Sequence, residues 1–461
     1  MERRWKVLGV TAVAVFMSFL DVTIVNVAFP DIERDFPEST RADLSWVLNA
    51  YNIVFAALLV PAGRLADLVG RRRMFLTGVV AFVATSLLCG LAPSAELLVA
   101  ARILQAAAGA ILVPTSLALL LPEFPVDKRA TAVAIWSATG AVAAALGPSL
   151  GGLLVDAVGW RWVFFLNVPI GLLALVPARR LLREARNPDA VLPDALGSAL
   201  LVAGVGALAL GIVKGSDWGW DSARVLAALG AAALLLPAVV LRSARHRAPV
   251  IELSLFRTRS FAVANVGMFA FSTAFYALLL SNVLFLTQVW GYSILEAGFA
   301  VTPGPLMAAL SAPIGGRLAD RFGQRVVALP GALLFAAGCA LFATGIGASP
   351  SYVSEYLGPT MLTGAGVGFS FAAWGSAAVA ELPGPQFATG SAVLACLRQI
   401  GAVLGIAILV AVLDAAPAVD PLSGFTDAWT LMAIAALLVA ALALALGRLR
   451  ATAAAPAEAP A

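Results

Sequence analysis

Runs of about twenty apolar residues recur along this chain from end to end, and they restrict its fold more than any other feature. Each run is long enough to cross the hydrocarbon core of a bilayer as an α-helix. Inside a bilayer every backbone polar group needs an internal partner, which excludes irregular or open-edged structure. Hydrophobic residues are 61% of the chain and charged residues 12%, whereas a soluble domain has about 25% charged residues. The sequence therefore predicts an all-α membrane protein.

The apolar runs predict fourteen membrane spans. They lie at about residues 7–29, 44–65, 74–92, 95–120, 130–157, 162–182, 193–213, 223–243, 260–288, 295–316, 326–346, 353–379, 387–412 and 425–447. The first run follows basic residues, as in a signal peptide, but it continues without an Ala-x-Ala cleavage site. We therefore interpret it as an uncleaved first span.

The basic residues predict the orientation of the spans. Lysine and arginine are concentrated in cytoplasmic loops of membrane proteins. If both termini are cytoplasmic, 23 of the 30 Lys and Arg residues fall on the cytoplasmic side and five on the outside, while Arg102 and Arg398 lie within spans. The sequence therefore predicts a multi-pass protein of the cytoplasmic membrane with both termini inside. The basic loops are short and lie between apolar runs, so we do not expect a nucleic-acid partner.

A hydrophilic phrase, Gly-Arg-Leu-Ala-Asp-x-x-Gly-x-Arg, occurs twice, from Gly63 to Arg72 and from Gly316 to Arg325. The 253-residue offset matches spans one to six with spans nine to fourteen. We predict a six-helix bundle at residues 1–189, two inserted helices at 190–247, a second six-helix bundle at 248–447 and a disordered cytoplasmic tail at 448–461. In duplicated membrane proteins the working site usually lies between the two halves.

The sequence shows no catalytic, nucleotide-binding or metal-binding motif. A phosphate-binding Walker A loop needs a lysine after glycine, and none of the three lysines, Lys6, Lys128 and Lys214, has that setting. The three cysteines lie far apart inside apolar runs. We therefore expect a transporter rather than an enzyme, without cofactor or metal. Uphill transport without a partner ATPase would use an ion gradient.

Asp21 is the most unusual residue, because an acid inside an apolar span is costly unless it is paired, protonated or hydrated. Arg102 lies at a similar depth in span four, so the two can pair. On helical wheels, Asp21 shares a face with Asn26, and Arg102 shares one with Gln105. Two interpretations remain open, a proton-coupling pair and a static ion pair that holds two helices together.

Other polar residues within the spans are candidates for a substrate cavity. Arg398, in span thirteen, could bind an anionic group, line the path or make an interhelical hydrogen bond. The remaining candidates, each of which could equally be structural, are Asn49, Asn52, Asn282, Gln288 and Trp374.

Five motifs in order resemble those of the fourteen-span drug:proton antiporter subfamily of the major facilitator superfamily. They are Leu20–Pro30, Gly63–Arg73, Arg102–Gln105, Gly140–Gly152 and Trp160–Pro169. The resemblance implies two six-helix bundles with two inserted central helices. One departure is that Gln105 is followed by three alanines where the subfamily has glycine. No acid lies deep in spans nine to thirteen, so we do not expect a multiply charged cationic substrate.

The resemblance also implies roles for the loops and for the glycines of span five. The loops would form a latch that stabilises the outward-open state, through Gly63, Asp67, Gly70, Arg71 and Arg72 and through Gly316, Asp320 and Arg325. The antiporter motif, which would limit leakage, comprises Gly140, Gly147, Pro148, Gly151 and Gly152. Topogenic charge for the loops and small-residue helix packing for the glycines are alternative explanations.

The resulting hypothesis is a proton-coupled antiporter that exports hydrophobic or amphipathic small molecules, such as drugs and antibiotics. We expect a monomer whose partners are a small-molecule substrate, protons and the lipid bilayer. The alternatives are a proton-coupled importer and a non-transporting membrane receptor or scaffold.

Overall fold

The computed structural model describes residues 2–125, 129–186, 191–192, 194–382, 387–417 and 421–446. The predicted tail at 448–461 lies outside these residues. The described part forms fourteen long helices: α1 (Arg3–Asp35), α2 (Trp46–Val69), α3 (Arg71–Gly90), α4 (Ala95–Leu120), α5 (Arg129–Val158), α6 (Asn167–Leu181), α7 (Ala195–Val213), α8 (Ala223–Arg245), α9 (Arg259–Gln288), α10 (Pro303–Phe322), α11 (Arg325–Gly345), α12 (Leu357–Val379), α13 (Phe387–Ala415) and α14 (Pro421–Ala443). Short helices precede α2 at Arg41–Leu44, α6 at Trp162–Phe165 and α10 at Ile294–Val301.

These helices have the length and composition of membrane spans. In the described part of the chain, twelve helical stretches are long and apolar enough to cross a bilayer. They correspond to all of the long helices except α5 and α12, which have 30 and 23 residues and occupy predicted spans five and twelve. The all-α, multi-pass prediction is therefore confirmed.

The duplication in the sequence recurs in the helices. At an offset of 253 residues α1 coincides with α9, and α2 with α10. Gly70 and Gly323, which also differ by this offset, both have positive φ, 126° and 94°. Only glycine adopts such angles readily, so the turn between paired helices is built in the same way in each copy.

The helices pack mainly within the halves that the repeat defines. α1 packs on α4, α5 and α6, while α9 packs on α12, α13 and α14. α2 packs on α13 and the short helix Ile294–Val301 packs on α5, and these pairings join the halves. α7 and α8 pack on each other, and α7 also contacts α2 and α13. The boundaries at residues 189, 247 and 447 stay predictions.

Two ends of the bundle can be distinguished. The repeat end carries the two repeated loops and the start of α1, where Arg3 contacts Glu123 after α4 and donates 2.7 Å to the Leu181 carbonyl of α6. The opposite end, which we call the far end, carries the C-terminal ends of α1, α9 and α13.

Candidate coupling site and substrate path

Asp21 and Arg102 form an ion pair in the interior of the N-terminal half, as their depths predicted. Arg102 Nη1 lies 2.5 Å from Asp21 Oδ2, and both side chains are buried. Asp21 Oδ1 accepts hydrogen bonds from Gln105 Nε2 at 2.9 Å and from Asn167 Nδ2 at 3.1 Å. Gln105 also accepts from Arg102 at 2.6 Å and donates to Ser86 at 2.8 Å. This coupling cluster, defined by Asp21, Ser86, Arg102, Gln105 and Asn167, joins α1, α3, α4 and α6.

The guanidinium of Arg102 makes two further contacts that fix its orientation. Its Nε donates to the Val47 carbonyl at 3.0 Å, which ties α4 to α2. Its carbon atom lies 4.1 Å from the centre of the Tyr51 ring, a cation–π contact that is strong where water is excluded. Buried charges are tolerated when they are paired and their hydrogen bonds are satisfied, and both conditions hold here.

A second polar group lies between the two halves. Gln399 of α13 donates to the Asn52 Oδ1 of α2 at 3.2 Å and accepts from the Tyr276 hydroxyl of α9 at 3.2 Å. All three side chains are buried. Next to Gln399, Arg398 is half-buried, and its guanidinium lies 5.7 Å from the Phe19 ring of α1.

The other predicted cavity residues are not brought together. Asn26 is buried and donates to the Val22 carbonyl of its own helix at 2.6 Å. Asn49 and Asn282 are also buried, and neither side-chain oxygen has a hydrogen-bond partner among the described residues. Trp374 is fully buried and packs against α9, where a Cβ added at Gly267 would lie 2.6 Å from its ring.

Gln288 lies at the far end, exposed, in a network that joins the halves. It donates to Glu33 at 3.3 Å and accepts from Arg41 at 3.2 Å. Arg41 also pairs with Glu33 at 3.0 Å and approaches Asp414 of α13 at 3.8 Å. We call Glu33, Arg41, Gln288 and Asp414 the far-end network.

Lys214 attaches the inserted helices to the N-terminal half at the same end. It follows α7 and lies 2.8 Å from Asp43 and 3.0 Å from Asp217, and it donates to Thr40 at 3.2 Å. Burial lowers the pKa of Lys214, but the hydrogen bonds to Asp43 and Asp217 raise it, and the net shift is upward. Lys214 therefore stays charged at neutral pH.

The glycines of α5 pack on α1 and on the C-terminal half. A Cβ at Gly140 would touch Phe19, one at Gly147 would clash with Thr23, and one at Gly151 would lie 2.8 Å from Ile24. Gly147 thus faces α1.

Two residues of the same motif meet the short helix Ile294–Val301. A Cβ at Gly152 would lie 2.9 Å from the Ile294 carbonyl oxygen, and one at Gly298 would lie 2.5 Å from the Pro148 carbonyl oxygen. The backbones of the two halves therefore approach closely at this point, which only small residues permit.

Asp67, Arg71 and Gly63 of the first repeated loop contact their own half, whereas Arg64 lies 3.7 Å from Glu252, in the predicted second bundle. Asp67 accepts from Arg71 at 2.8 Å, and Arg71 donates to the Ala118 carbonyl of α4 at 3.4 Å. Gly63 packs on α4, where a Cβ would lie 3.4 Å from Pro114, and Gly70 turns the chain into α3.

Glu184, which follows α6, caps the first turn of α3. It accepts from the backbone amides of Arg72 at 3.1 Å and Arg73 at 3.2 Å. A carboxylate stabilises a helix N-terminus because the first amides lack helical partners.

The second repeated loop has fewer contacts in the described part of the chain. A Cβ at Gly316 would meet no atom within 4 Å, and Arg325 is exposed at the start of α11. The side chain of Asp320 lies outside the described residues.

The sequence of this chain matches a known protein family over nearly its whole length. A family model described as Major Facilitator Superfamily matches residues 11–279 and residues 264–461. The chain belongs to the major facilitator superfamily.

Two relatives refine this membership. This facilitator is 36% identical to the multidrug resistance protein Stp of Mycobacterium tuberculosis, over 88% of this chain and 75% of that protein. It is 38% identical to the tetracenomycin C resistance and export protein of Streptomyces glaucescens, over 73% of this chain and 62% of that protein. The resemblance to the drug-efflux subfamily is therefore confirmed.

A solved structure of the superfamily has the same fold. It is a bacterial homologue of the human lysosomal transporter Spinster in an inward-facing, unoccupied conformation. The TM-score is 0.67 and the identity 19%, over 97% of this chain and 98% of that one. At this identity the similarity concerns the fold alone.

The sequence did not reveal every polar residue of the facilitator's interior. Asn167 lies in the quoted Trp160–Pro169 motif, which marked it only as part of a resemblance. Ser86 is a single serine in an apolar run, a pattern that predicts nothing by itself. No signal in the sequence connected Gln399 with Asn52, or Arg41 with Asp414.

Proposed function

We propose that this protein is a proton-coupled antiporter that exports hydrophobic or amphipathic small molecules, drugs and antibiotics among them, across the cytoplasmic membrane. The observation that carries the proposal is the coupling cluster, an acid and a base paired in the interior of a membrane protein. Ionisable residues at such depth commonly serve proton or ion pathways. The names of the relatives support export of drugs as the direction and substrate class.

Asp21 would exchange its protein partners for a proton. Its oxygens accept from Arg102, Gln105 and Asn167, which belong to α4 and α6, whereas Asp21 belongs to α1. A shift of α1 against these helices would remove the donors and leave a costly unpaired carboxylate. A proton would then neutralise it, and return of the donors would release the proton.

The surrounding residues suit alternating access. Asn52 and its partner Gln399 would line the path between the halves, together with the buried Asn26, Asn49 and Asn282. The two repeated loops would act as latches at the repeat end, and the antiporter motif would seal the contact of α5 with the short helix Ile294–Val301. The excess of basic residues supports a cytoplasmic repeat end, and we propose a monomeric working unit.

Transport assays separate this function from the alternatives. Inverted membrane vesicles with an imposed proton gradient should accumulate a fluorescent drug and release protons when the drug is added. A proton-coupled importer would instead accumulate substrate in right-side-out vesicles, and a receptor or scaffold would do neither.

The Asp21→Asn variant tests the proton step. It keeps the shape of the side chain but cannot titrate, so uphill accumulation and drug-induced proton release should both disappear while downhill exchange continues. Asp427→Asn is the matched control, because Asp427 is an exposed acid of α14. Normal uphill transport by the Asp21→Asn variant would contradict the assignment.

A further inference from the structure

Arg398 is a membrane-embedded cation without a counter-ion in the described part of the chain. It lies eleven residues from the start of the 29-residue helix α13, far from either end. Its Nε is buried and has no hydrogen-bond acceptor among the described residues. The salt bridges of the described chain do not include it, whereas Arg102, the other arginine at such depth, is fully paired.

The acids that the structure describes offer Arg398 no partner at its depth. Among them, Asp21 is the one placed more than about two turns from the end of a membrane helix. Its two oxygens already accept from Arg102, Gln105 and Asn167, and its side chain is 0% exposed. Within the described residues, the interior therefore has a surplus positive charge at Arg398.

The side chains around Arg398 are suited to aromatic molecules. Its guanidinium lies 5.7 Å from the Phe19 ring, which comes from α1 and is itself half-buried. The next residue, Gln399, donates a hydrogen bond to Asn52 of α2. On the same helix, Tyr51 and Phe55 stack with ring centres 5.9 Å apart. The half-buried Ala395, one turn before Arg398, packs against the hydrophobic cluster that contains this pair. Arg398 thus lies where α1, α2 and α13 meet.

We propose that Arg398 is an anion-binding subsite that selects aromatic substrates carrying a carboxylate or an acidic phenol. The inference rests on the proposed export function and adds the substrate class. An unpaired cation in a membrane is costly, and this cost falls when water or an anionic ligand reaches the guanidinium. The planar guanidinium matches a carboxylate by two parallel hydrogen bonds, and the ligand's ring would stack on Phe19.

Equilibrium binding of a matched pair of probes tests the subsite. The full-length protein in lipid nanodiscs is titrated with anthracene-9-carboxylate and with its uncharged methyl ester, and binding is followed by fluorescence polarisation against empty discs. We expect the wild type to prefer the carboxylate. Arg398→Gln should weaken carboxylate binding about tenfold or more, the range of a charge-assisted hydrogen bond. The affinity of this variant for the ester should stay within about twofold of the wild-type affinity, because the aromatic contacts remain.

Two variants complete the experiment. Arg398→Lys should keep part of the preference, because lysine retains the charge but loses the forked geometry. Arg224→Gln is the matched control, since Arg224 is exposed in the first turn of α8. Equal wild-type affinity for acid and ester, no binding of the acid, or an unchanged preference in Arg398→Gln would overturn the inference.

The proposed function is measured separately by proton-driven export in inverted vesicles. If export is intact but the Arg398→Gln variant keeps the wild-type preference for the carboxylate over the ester, the result counts against the subsite alone. Loss of proton-driven export for every drug, with the anion preference preserved, would count against the antiporter assignment alone.

Discussion

Asp21 and Arg102 are buried charges, and each is the counter-ion of the other. Both are buried, and the carboxylate has three donors from two helices. Removing one partner of such a pair leaves an uncompensated buried charge, whereas removing both replaces them with neutral groups. The energetic role and the proposed proton-coupling role of the pair can therefore be separated by measurement.

The Arg102→Gln variant should be destabilised by about 3–5 kcal/mol, because it leaves the Asp21 carboxylate without its counter-ion. The Asp21→Asn/Arg102→Gln double variant should recover most of this loss. Thermal unfolding of the purified proteins in detergent measures both. Proton-driven uphill transport by the stable double variant would mean that the pair is structural and that another group couples the proton.

The charged members of the site could be predicted from the sequence, but their neutral partners could not. A charge in an apolar run is rare enough to be noticed, and equal depth suggested the pairing of Asp21 with Arg102. Ser86 and Asn167 are neutral, and such residues occur in many spans without a partner of this kind. Their role depends on how α3 and α6 pack around α1, which helical periodicity does not determine.

At the scale of single helices, α5 is sensitive to side-chain volume at several of its glycines. Gly147 faces α1, and a Cβ there would clash with Thr23, while Pro148 and Gly152 meet the short helix Ile294–Val301. One helix thus makes close contacts in both halves.

Gly147→Ala should destabilise the protein by about 1–3 kcal/mol, the usual cost of overpacking, and should raise proton leakage in vesicles. Alanine favours a helix over glycine by about 1 kcal/mol, so the clash must outweigh this gain. Gly230→Ala in α8 is the matched control, because an added Cβ there meets no atom within 4 Å. If the two variants have the same unfolding midpoint and the same leak, close packing at Gly147 has no role.

The predicted helix ends were less accurate than the existence of the helices. Each predicted span coincides with a long helix, but α1 continues to Asp35 instead of ending near residue 29. The span predicted at 295–316 consists of the short helix Ile294–Val301 and α10, which begins at Pro303. Hydropathy reports the length of an apolar run, while the ends depend on caps, prolines and tertiary contacts.

At the scale of the whole molecule, the halves are held together at the far end. The far-end network links α1 and the chain before α2 to α9 and α13, and Ser149 lies 2.6 Å from Thr302 across the same interface. None of these pairs could be predicted from spacing, because they depend on how the two bundles face each other. For an alternating-access transporter, this network would be the gate that opens outward.

Arg41→Gln should therefore increase access to the far end. We expect a cysteine placed at Thr287, which is 8% exposed in α9, to react several times faster with a membrane-impermeant maleimide in that background. The three native cysteines are buried and should contribute little labelling. Arg161→Gln is the matched control, because Arg161 pairs with Asp35 inside the N-terminal half at 2.6 Å. Equal labelling rates in the two backgrounds would show that Arg41 does not hold the gate.

The two copies of the repeat differ at the positions of two deeply placed charges. The counterpart of Asp21, 253 residues later, is Ala274, and the counterpart of Arg398, 253 residues earlier, is Ala145. At these two positions, one half has an alanine where the other has a deeply placed charge. A chimera of two N-terminal halves would have two copies of the Asp21 carboxylate and no counterpart of Arg398. A chimera of two C-terminal halves would have two copies of Arg398 and no counterpart of Asp21. The two copies therefore share helices but differ in these charges, so neither could replace the other in the proposed transport cycle.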